Sequence, residues 1–592
     1  MTTTIRKTQV DLAGLMRVLG EALYSTPFVA IRELVQNAHD SCVRRKLEAR
    51  DEFAPAISVR VTDDSLSFID NGAGLTVDEI HAYLATVGTG YTRALRDQGA
   101  GEGLIGYFGL GFLSAFAVSD RVEVWTCSYR TPDQAHRFVS RSGETYSVER
   151  AESRPIGTEV RLTLKPGLPE LADADVVLAW LRRYCSLLIH PVDLNGGEPV
   201  NADSPPWRRT DLSPLRRRTL SLEFASRFEP TFAPMTTITV DVPDAQLSGL
   251  IWVQDGSTYS SSDNRNVGVF VRGMLISDEE RDLLPRWAGF VGAVIESAAL
   301  QPTASRESLK QDAQYDRVAE VLRQRLIDGL REIATNDAAT WRRVLGRHNE
   351  ALLGAALADE GLFDLMAEQL TVPTTEGDLT LPALLARGNR SVYLTQEERV
   401  GFESILMRAL KQPIVLGRRF GAAPFCARYL QKRGGKLVSL GTDTGDRSVF
   451  RDAVIDEESR STLESGFSAP DRKVQVCTFE PAHLPFALIT DREAMLKRRI
   501  ESDEADRRIG QAVLGLARQF TRTITADAPV RMYLNHANPV IRMLPALPEP
   551  RRQRALAMLQ PLIAMMSDAV ATDMERAMQM FCEALTAELE TP

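Results

Sequence analysis

The chain has 592 residues, 44% of them hydrophobic and 25% charged, with a net charge of −9 at pH 7. That length exceeds one hydrophobic core and predicts about three or four domains. The acidic balance argues against a dedicated nucleic-acid binder, and no uninterrupted apolar run is long enough to span a bilayer.

The opening MTTTIRKTQVD has no apolar signal core, so a cytoplasmic protein is expected. AGLMRVLGEAL and RELVQNAHDSCVRRKLEA carry apolar residues at helical spacing. ISVRVTD and LSFID read as short strands joined by an Asp-rich turn, and RVEVWTCSY, HRFVSRS, TYSVER and TEVRLTL follow as strands. Together they predict an α+β sandwich, a mainly antiparallel sheet covered on one face by helices. Residues 195–206, NGGEPVNADSPP, have the composition of a linker. A second mixed domain begins with strands at TITVDV, GLIWVQ and NVGVFVRGMLI and continues into the helix YDRVAEVLRQRLIDGLREIA. From about 340 to 440, helices alternate with short strands such as PIVLG and LVSLG, and the polar stretch IDEESRSTLESGFSAP is expected to be loose. The tail carries long helical patterns, ALAMLQPLIAMMSDAVA and DMERAMQMFCEALTAELE, whose methionines read as packing faces. The six cysteines form no CxxC pair, so neither zinc nor a disulfide framework is indicated and a reducing compartment fits.

Four stretches of the first domain carry candidate chemistry. In RELVQNAHDS, Glu33, Asn37 and Asp40 recur at i,i+4 and i,i+3, which places them on one helical stripe beside a core face of Ile31, Val35, Ala38 and Cys42. Taken alone, such a stripe also describes a solvated helix face. DNGAGL ends the strand LSFID and turns on Gly72 and Gly74, leaving Asp70 at a pocket floor, where a carboxylate accepts a hydrogen bond from an exocyclic amine. Read by itself, it is also a common surface turn. GEGLIGYFGLGF contains a literal GxGxxG, but no strand precedes it, so the dinucleotide reading fails on context. Its second trio, Gly106, Gly109 and Gly111, leads into FLSAFAV, a helix start whose backbone N–H groups suit phosphate. The polar, glycine-rich segment between Leu75 and Gly106 has the character of a closing lid. Thr158 opens the strand GTEVRLTL and is expected to donate or accept a hydrogen bond near Asp70; taken alone, it is an edge-strand threonine.

Each signal is weak, but their order and spacing resemble the GHKL ATPases, a superfamily that includes gyrase B, MutL, histidine kinases and the heat-shock protein 90 chaperones. Within it, LYSTPFVAIRELVQNAHDS, DNGAGL and LIGYFGLGFLSAF resemble the nucleotide-site signatures of the heat-shock protein 90 family, its bacterial HtpG type most closely. PVNADSPPWRR resembles that family's N-to-middle junction, LLPRWAGFVGAVIES and SRESLKQD its middle domain, and LPFALITDREAMLKR and LNHANPVIRML its C-terminal domain. The resemblance implies a Bergerat-type ATPase domain at 1–195, a linker at 196–215, a mixed α/β middle domain at 216–455 and a mainly helical dimerisation domain at 456–592. It also implies ATP with Mg²⁺: Glu33 as general base, Asn37 as the Mg²⁺ ligand, Asp40 in the nucleotide shell, and Asp70 on the adenine. Gly74, Thr89, Gly106, Gly109, Gly111, Phe112 and Thr158 complete the implied ATP site. Arg306 in SRESL, read alone as a surface arginine, becomes a catalytic residue that reaches the γ-phosphate. Two departures stand out: Thr89 occupies the place of a family lysine, and Tyr83 that of a family asparagine.

The function implied is an ATP-driven homodimeric clamp, joined through its C-terminal helices, that acts on partly folded client proteins without nucleic acid or membrane. Alternatives are a GHKL ATPase of the MutL or gyrase B type acting on DNA, and a specialised scaffold with weak ATPase. A histidine kinase is disfavoured because no histidine precedes Glu33.

Overall fold

The computed structural model describes residues 26–49, 51–86, 111–141, 145–257, 263–303, 307–395, 402–505, 528–567 and 574–589. The chain divides between Arg347 and His348 into two compact units.

In the first unit, helix α1 (Val29–Glu48) buries Ile31, Leu34, Val35, Ala38 and Cys42, the face that apolar spacing predicts. That face packs on a seven-stranded sheet of β1 (Ile57–Val61), β2 (Ser65–Asp70), β3 (Ser119–Cys127), β4 (Ala135–Arg141), β5 (Thr145–Arg150), β6 (Gly157–Leu164) and β7 (Val192–Leu194). Their order is β5-β4-β3-β6-β2-β1-β7. Every pairing is antiparallel except β1 with β7. The pleat of β2 and β3 puts Leu66, Phe68, Val122 and Val124 on one face, and all four join the core. The predicted α+β sandwich is therefore present, with α1 and helix α3 (Ala174–Tyr184) contributing to its core. A short helix, α2, begins at Val77 and continues through a wider π-type turn, Ile80–Leu84. Strand β7 was not anticipated: it is three residues long and leaves no readable alternation.

The same unit holds a second, five-stranded sheet of order β11-β10-β12-β9-β8, built from β8 (Pro234–Val242), β9 (Leu247–Gln254), β10 (Asn266–Val271), β11 (Met274–Ser277) and β12 (Val291–Ser297). Its central strands are apolar at nearly every position because both faces are covered. Helix Ala313–Asn336 follows, with Asp312 accepting from the N–H groups of Gln314 and Tyr315 at its start.

The second unit contains a five-stranded and a four-stranded sheet, the latter from Arg451–Asp452, Arg472–Thr478, Val530–Asn535 and Phe486–Thr490. The stretch expected to be loose at 455–470 is instead the helix Glu457–Phe467. Asp456 caps it by accepting from Ser459 N–H at 2.8 Å, and Leu463 and Phe467, one turn apart, are buried. Two apolar residues in a polar run are enough when a sheet lies beneath them. Helices Glu549–Ser567 and Met574–Leu589 close the chain's described part. Among the described residues, no helix is long and apolar enough to cross a membrane.

Candidate functional site

The site is built where α1 crosses the end of β2. Sheet register sets Asp70 opposite Thr158, and Thr158 opposite Thr126, so three polar residues lie in one row across β2, β6 and β3. Asp70 Oδ1 accepts from Ser41 Oγ at 2.8 Å and from Gly72 N–H at 2.8 Å. Thr126 Oγ1 lies 3.1 Å from Thr158 Oγ1 and accepts from Leu75 N–H at 2.8 Å. Burial pushes the Asp70 carboxyl up to about 7, against the opposing pull of Ser41 and the Gly72 N–H. A buried carboxyl among hydroxyls, balanced between its two protonation states, marks a place poised for a ligand's donor.

The turn after Asp70 is held on three sides. Ala73 N–H donates to Ser41 O at 3.0 Å, Tyr129 N–H to Ala73 O at 3.0 Å, and Arg45 Nη1 to Asn71 O at 2.7 Å. Gly74 has φ of +62°, and a Cβ there would come within 2.0 Å of Cys127 O, so the turn reaches β3 only through glycine.

Glu33 and Asp40 are buried on α1, while Asn37 is exposed between them. Arg32 Nε lies 3.5 Å from Glu33 Oε1. The backbone turn that begins at Gly111 crosses Glu33 so closely that a Cβ on Gly111 would meet Glu33 Oε2 at 2.6 Å. Ser114 Oγ donates to Gly111 O at 2.6 Å. Phe112 anchors this turn, edge-on to Phe116 and Phe138 with ring centroids 6.1 Å apart in both pairs. Asp40 Oδ1 is 3.6 Å from His39 Nδ1. The structure thus places Asp70, Gly74 and Thr158 together, and Glu33 against Gly111. Thr89, Gly106, Gly109 and Arg306 lie outside the described residues. Tyr83 is on the π-type turn of α2.

Ser41 and Thr126 were missed by sequence reading. Ser41 follows Asp40 and is four residues from Asn37, so its position on the polar stripe was legible. Nothing in RVEVWTCSY marks Thr126, because its role comes from the register of β3 against β6.

Comparison with known proteins bears on the same regions. Residues 24–162 match the family described as "Histidine kinase-, DNA gyrase B-, and HSP90-like ATPase", and residues 252–369 match the family described as "Hsp90 protein". Several relatives bear the name "Chaperone protein HtpG". The one from Nitratidesulfovibrio vulgaris is 27% identical over 58% of this chain and 57% of its own length. That from Streptomyces coelicolor is 28% identical over 58% of this chain and 60% of its own. The one from Chromobacterium violaceum is 26% identical over 79% of this chain and 82% of its own. The first of these alignments spans little more than half of that relative's length. The resemblance to the heat-shock protein 90 family, carried in the sequence by short motifs, is thus matched at residues 252–369, and the wider superfamily resemblance at residues 24–162.

Proposed function

We propose that this chain is an ATP-dependent chaperone of the heat-shock protein 90 type, a dimeric clamp that acts on partly folded client proteins. The observation that carries the reading is the buried Asp70 carboxyl at the end of β2, inside the ATPase-like stretch, bonded to Ser41 and set opposite Thr158 across the sheet. The similarity of residues 252–369 to Hsp90 proteins favours a chaperone over a DNA-acting member of the superfamily, as does the net charge of −9.

The donor set suits an adenine nucleotide. Asp70 accepts from an exocyclic amine, and Ser41 and the Gly72 N–H hold that carboxyl in place from its other side. Thr158, through Thr126, ties the same floor to the turn at Leu75. Asn37, with its exposed amide, is the oxygen ligand for a Mg²⁺ that arrives with the phosphates. Among the described residues, no group of three or more His, Cys, Asp or Glu is placed to hold a metal alone. When bound, Mg²⁺ neutralises charge on the phosphates. Glu33 takes the proton of the attacking water, Asp40 supports the nucleotide shell, and Gly111 with Phe112 sets the backbone beside Glu33. Gly106, Gly109 and Thr89 on the phosphate side, and Arg306 at the γ-phosphate, complete the proposed assignment. The division into 1–195, 196–215, 216–455 and 456–592, the homodimer and a cytoplasmic location belong to the same proposal.

The deciding experiment measures ATP turnover of the full chain and of Glu33→Ala, together with suppression of heat-induced aggregation of an unfolded test protein. Turnover lost in Glu33→Ala and client protection that depends on ATP support the reading. Equal turnover in both proteins, or turnover stimulated by DNA without client protection, overturns it.

A further inference from the structure

The turn that carries Asp70 is bracketed by a charged cluster that the proposed chemistry does not use. Arg44, on the last turns of α1, is 3% exposed, and its Nη2 pairs with Glu79 Oε1. Its Nε is 3.3 Å from Glu48 Oε2. Glu48 Oε2 also accepts from Tyr129 OH at 2.6 Å and Arg130 Nη2 at 2.7 Å, and Arg130 Nη1 reaches Glu79 Oε1 at 3.3 Å. Glu79 in turn caps α2: its Oε2 accepts from Thr76 N–H at 2.9 Å while Thr76 Oγ1 accepts from Glu79 N–H at 3.3 Å. Burial pushes the Glu79 carboxyl up, but the Thr76 N–H, Arg44 and Arg130 outweigh it and hold it below its ordinary value. Two arginines and two glutamates balance in charge, so the cluster carries no net charge into a poorly hydrated place.

The position of this cluster matters more than its strength. It joins the end of α1 and the residues just after β3, the two elements whose bonds hold the 70–75 turn, to the start of α2, into which the turn leads. Next to Arg44, Arg45 Nη1 holds Asn71 O at the turn's entrance, and Arg44 holds Glu79 just past its exit. Buried ion pairs add little net stability, since desolvation offsets their attraction, but they are unforgiving about geometry. From this arrangement we infer that Arg44 and Glu79 are a positioning pair for the nucleotide pocket, fixing the 70–75 turn at the height at which Asp70 meets its ligand. Neither residue touches the ligand, and both act through the turn. The inference rests on the adenine-nucleotide reading of Asp70.

The test uses the full chain with Arg44→Met, Glu79→Gln and the double variant, and reads ADP affinity by calorimetry and turnover at saturating ATP. Each single variant is expected to weaken ADP about tenfold, as loss of one partner of a buried charged pair does. The double variant is expected to be no weaker than the worse single, because the two act as one unit. Turnover at saturation is expected to stay within about twofold, since Glu33 is untouched. Val177→Ala, a core change on α3, supplies a control with a lowered melting temperature. Should the buried substitutions prevent folding, Arg130→Met decides instead, because that side chain is about half exposed. It is expected to weaken ADP by about threefold, in keeping with a half-exposed ion pair. Unchanged ADP affinity in the folded variants, or the same weakening in Val177→Ala, overturns the positioning role while the nucleotide reading stands. A parent protein that binds no adenine nucleotide removes both.

Discussion

Ser41 Oγ donates to Asp70 Oδ1 across 2.8 Å, and that bond ties α1 to the end of β2. Asp70→Asn keeps an oxygen for Ser41 and for the Gly72 N–H but loses the charge. Adenine-nucleotide affinity is expected to fall about ten- to a hundredfold, the worth of a charge-assisted hydrogen bond of roughly 1.5–3 kcal/mol. Calorimetry with ADP checks it, and unchanged affinity would remove Asp70 from the site.

The same substitution should stabilise the nucleotide-free protein at alkaline pH. Asp70 sits at about 7 when folded, above the ordinary carboxylate value of 3.8. Between those two values the folded state keeps a proton that the unfolded state has lost, so stability declines as pH rises through this window and is lowest above 7. At about 1.4 kcal/mol per unit, the penalty is of the order of a few kcal/mol. Thermal unfolding should therefore show the gain of Asp70→Asn over the parent growing from pH 5 to pH 8. Nucleotide binding, which favours the charged form, should release a fraction of a proton at pH 7, read from calorimetry in buffers of different ionisation heat.

Gly111 and Glu33 give a sharper test of the hydrolytic role. Glu33→Ala should retain nucleotide affinity and lose turnover by about 10²–10⁴-fold, as removal of a general base does. In Gly111→Ala, the new methyl group would lie 2.6 Å from Glu33 Oε2 and must displace it. Turnover is expected to drop at least about tenfold, with a stability loss of about 1–3 kcal/mol from overpacking. Normal turnover in Gly111→Ala with Glu33 intact would mean that Glu33 acts from a different position.

Acid should destabilise the first unit through His190. Burial, then the neighbouring His39 ring at 4.8 Å and Lys46, push His190 from 6.5 down to about 4. Below pH 6.5 the unfolded state takes up a proton that the folded state refuses, so the stability present above 6.5 is lost as pH falls toward 4. By urea unfolding, the parent should lose about 2–3 kcal/mol more stability than His190→Phe between pH 7.5 and pH 4.5, at about 1.4 kcal/mol per unit. Parallel loss of stability in the two proteins would show that His190 takes up its proton at the same pH folded and unfolded.

For dimerisation, the structure directs where to cut. Leu556 and Ile563 of helix Glu549–Ser567 belong to the core beneath the four-stranded sheet, so deletion from 545 onward would strip that core. Met578 and Phe581 on helix Met574–Leu589 are 52% and 40% exposed. Removal of 568–592 is expected to convert a dimer to a monomer by light scattering and to slow turnover, since the tether between two ATPase domains is lost. A truncated protein that stays dimeric refutes the assignment of the tail.

The local elements were legible because their periods are written in the chain. ISVRV, LSFID and TEVRLTL alternate with period two, and Ile31, Val35, Ala38 and Cys42 recur at helical spacing, so strands and helix follow from side-chain direction alone. The candidacy of Glu33, Asn37 and Asp40 came from the same spacing, and that of Asp70 from two glycines after a strand. What depended on the tertiary structure has partners far away in sequence. Ser41 meets Asp70 29 residues on, Thr126 meets Thr158 32 residues on, and Arg44 meets Glu79 35 residues on. The helix Glu457–Phe467 likewise needed the sheet beneath Leu463 and Phe467 to outweigh a polar composition. A periodic pattern encodes which face of an element is apolar. Which polar groups share a pocket is decided by strand register and by how α1 packs on the sheet, because only the assembled domain brings Ser41 Oγ to 2.8 Å from Asp70 and Thr126 to 3.1 Å from Thr158.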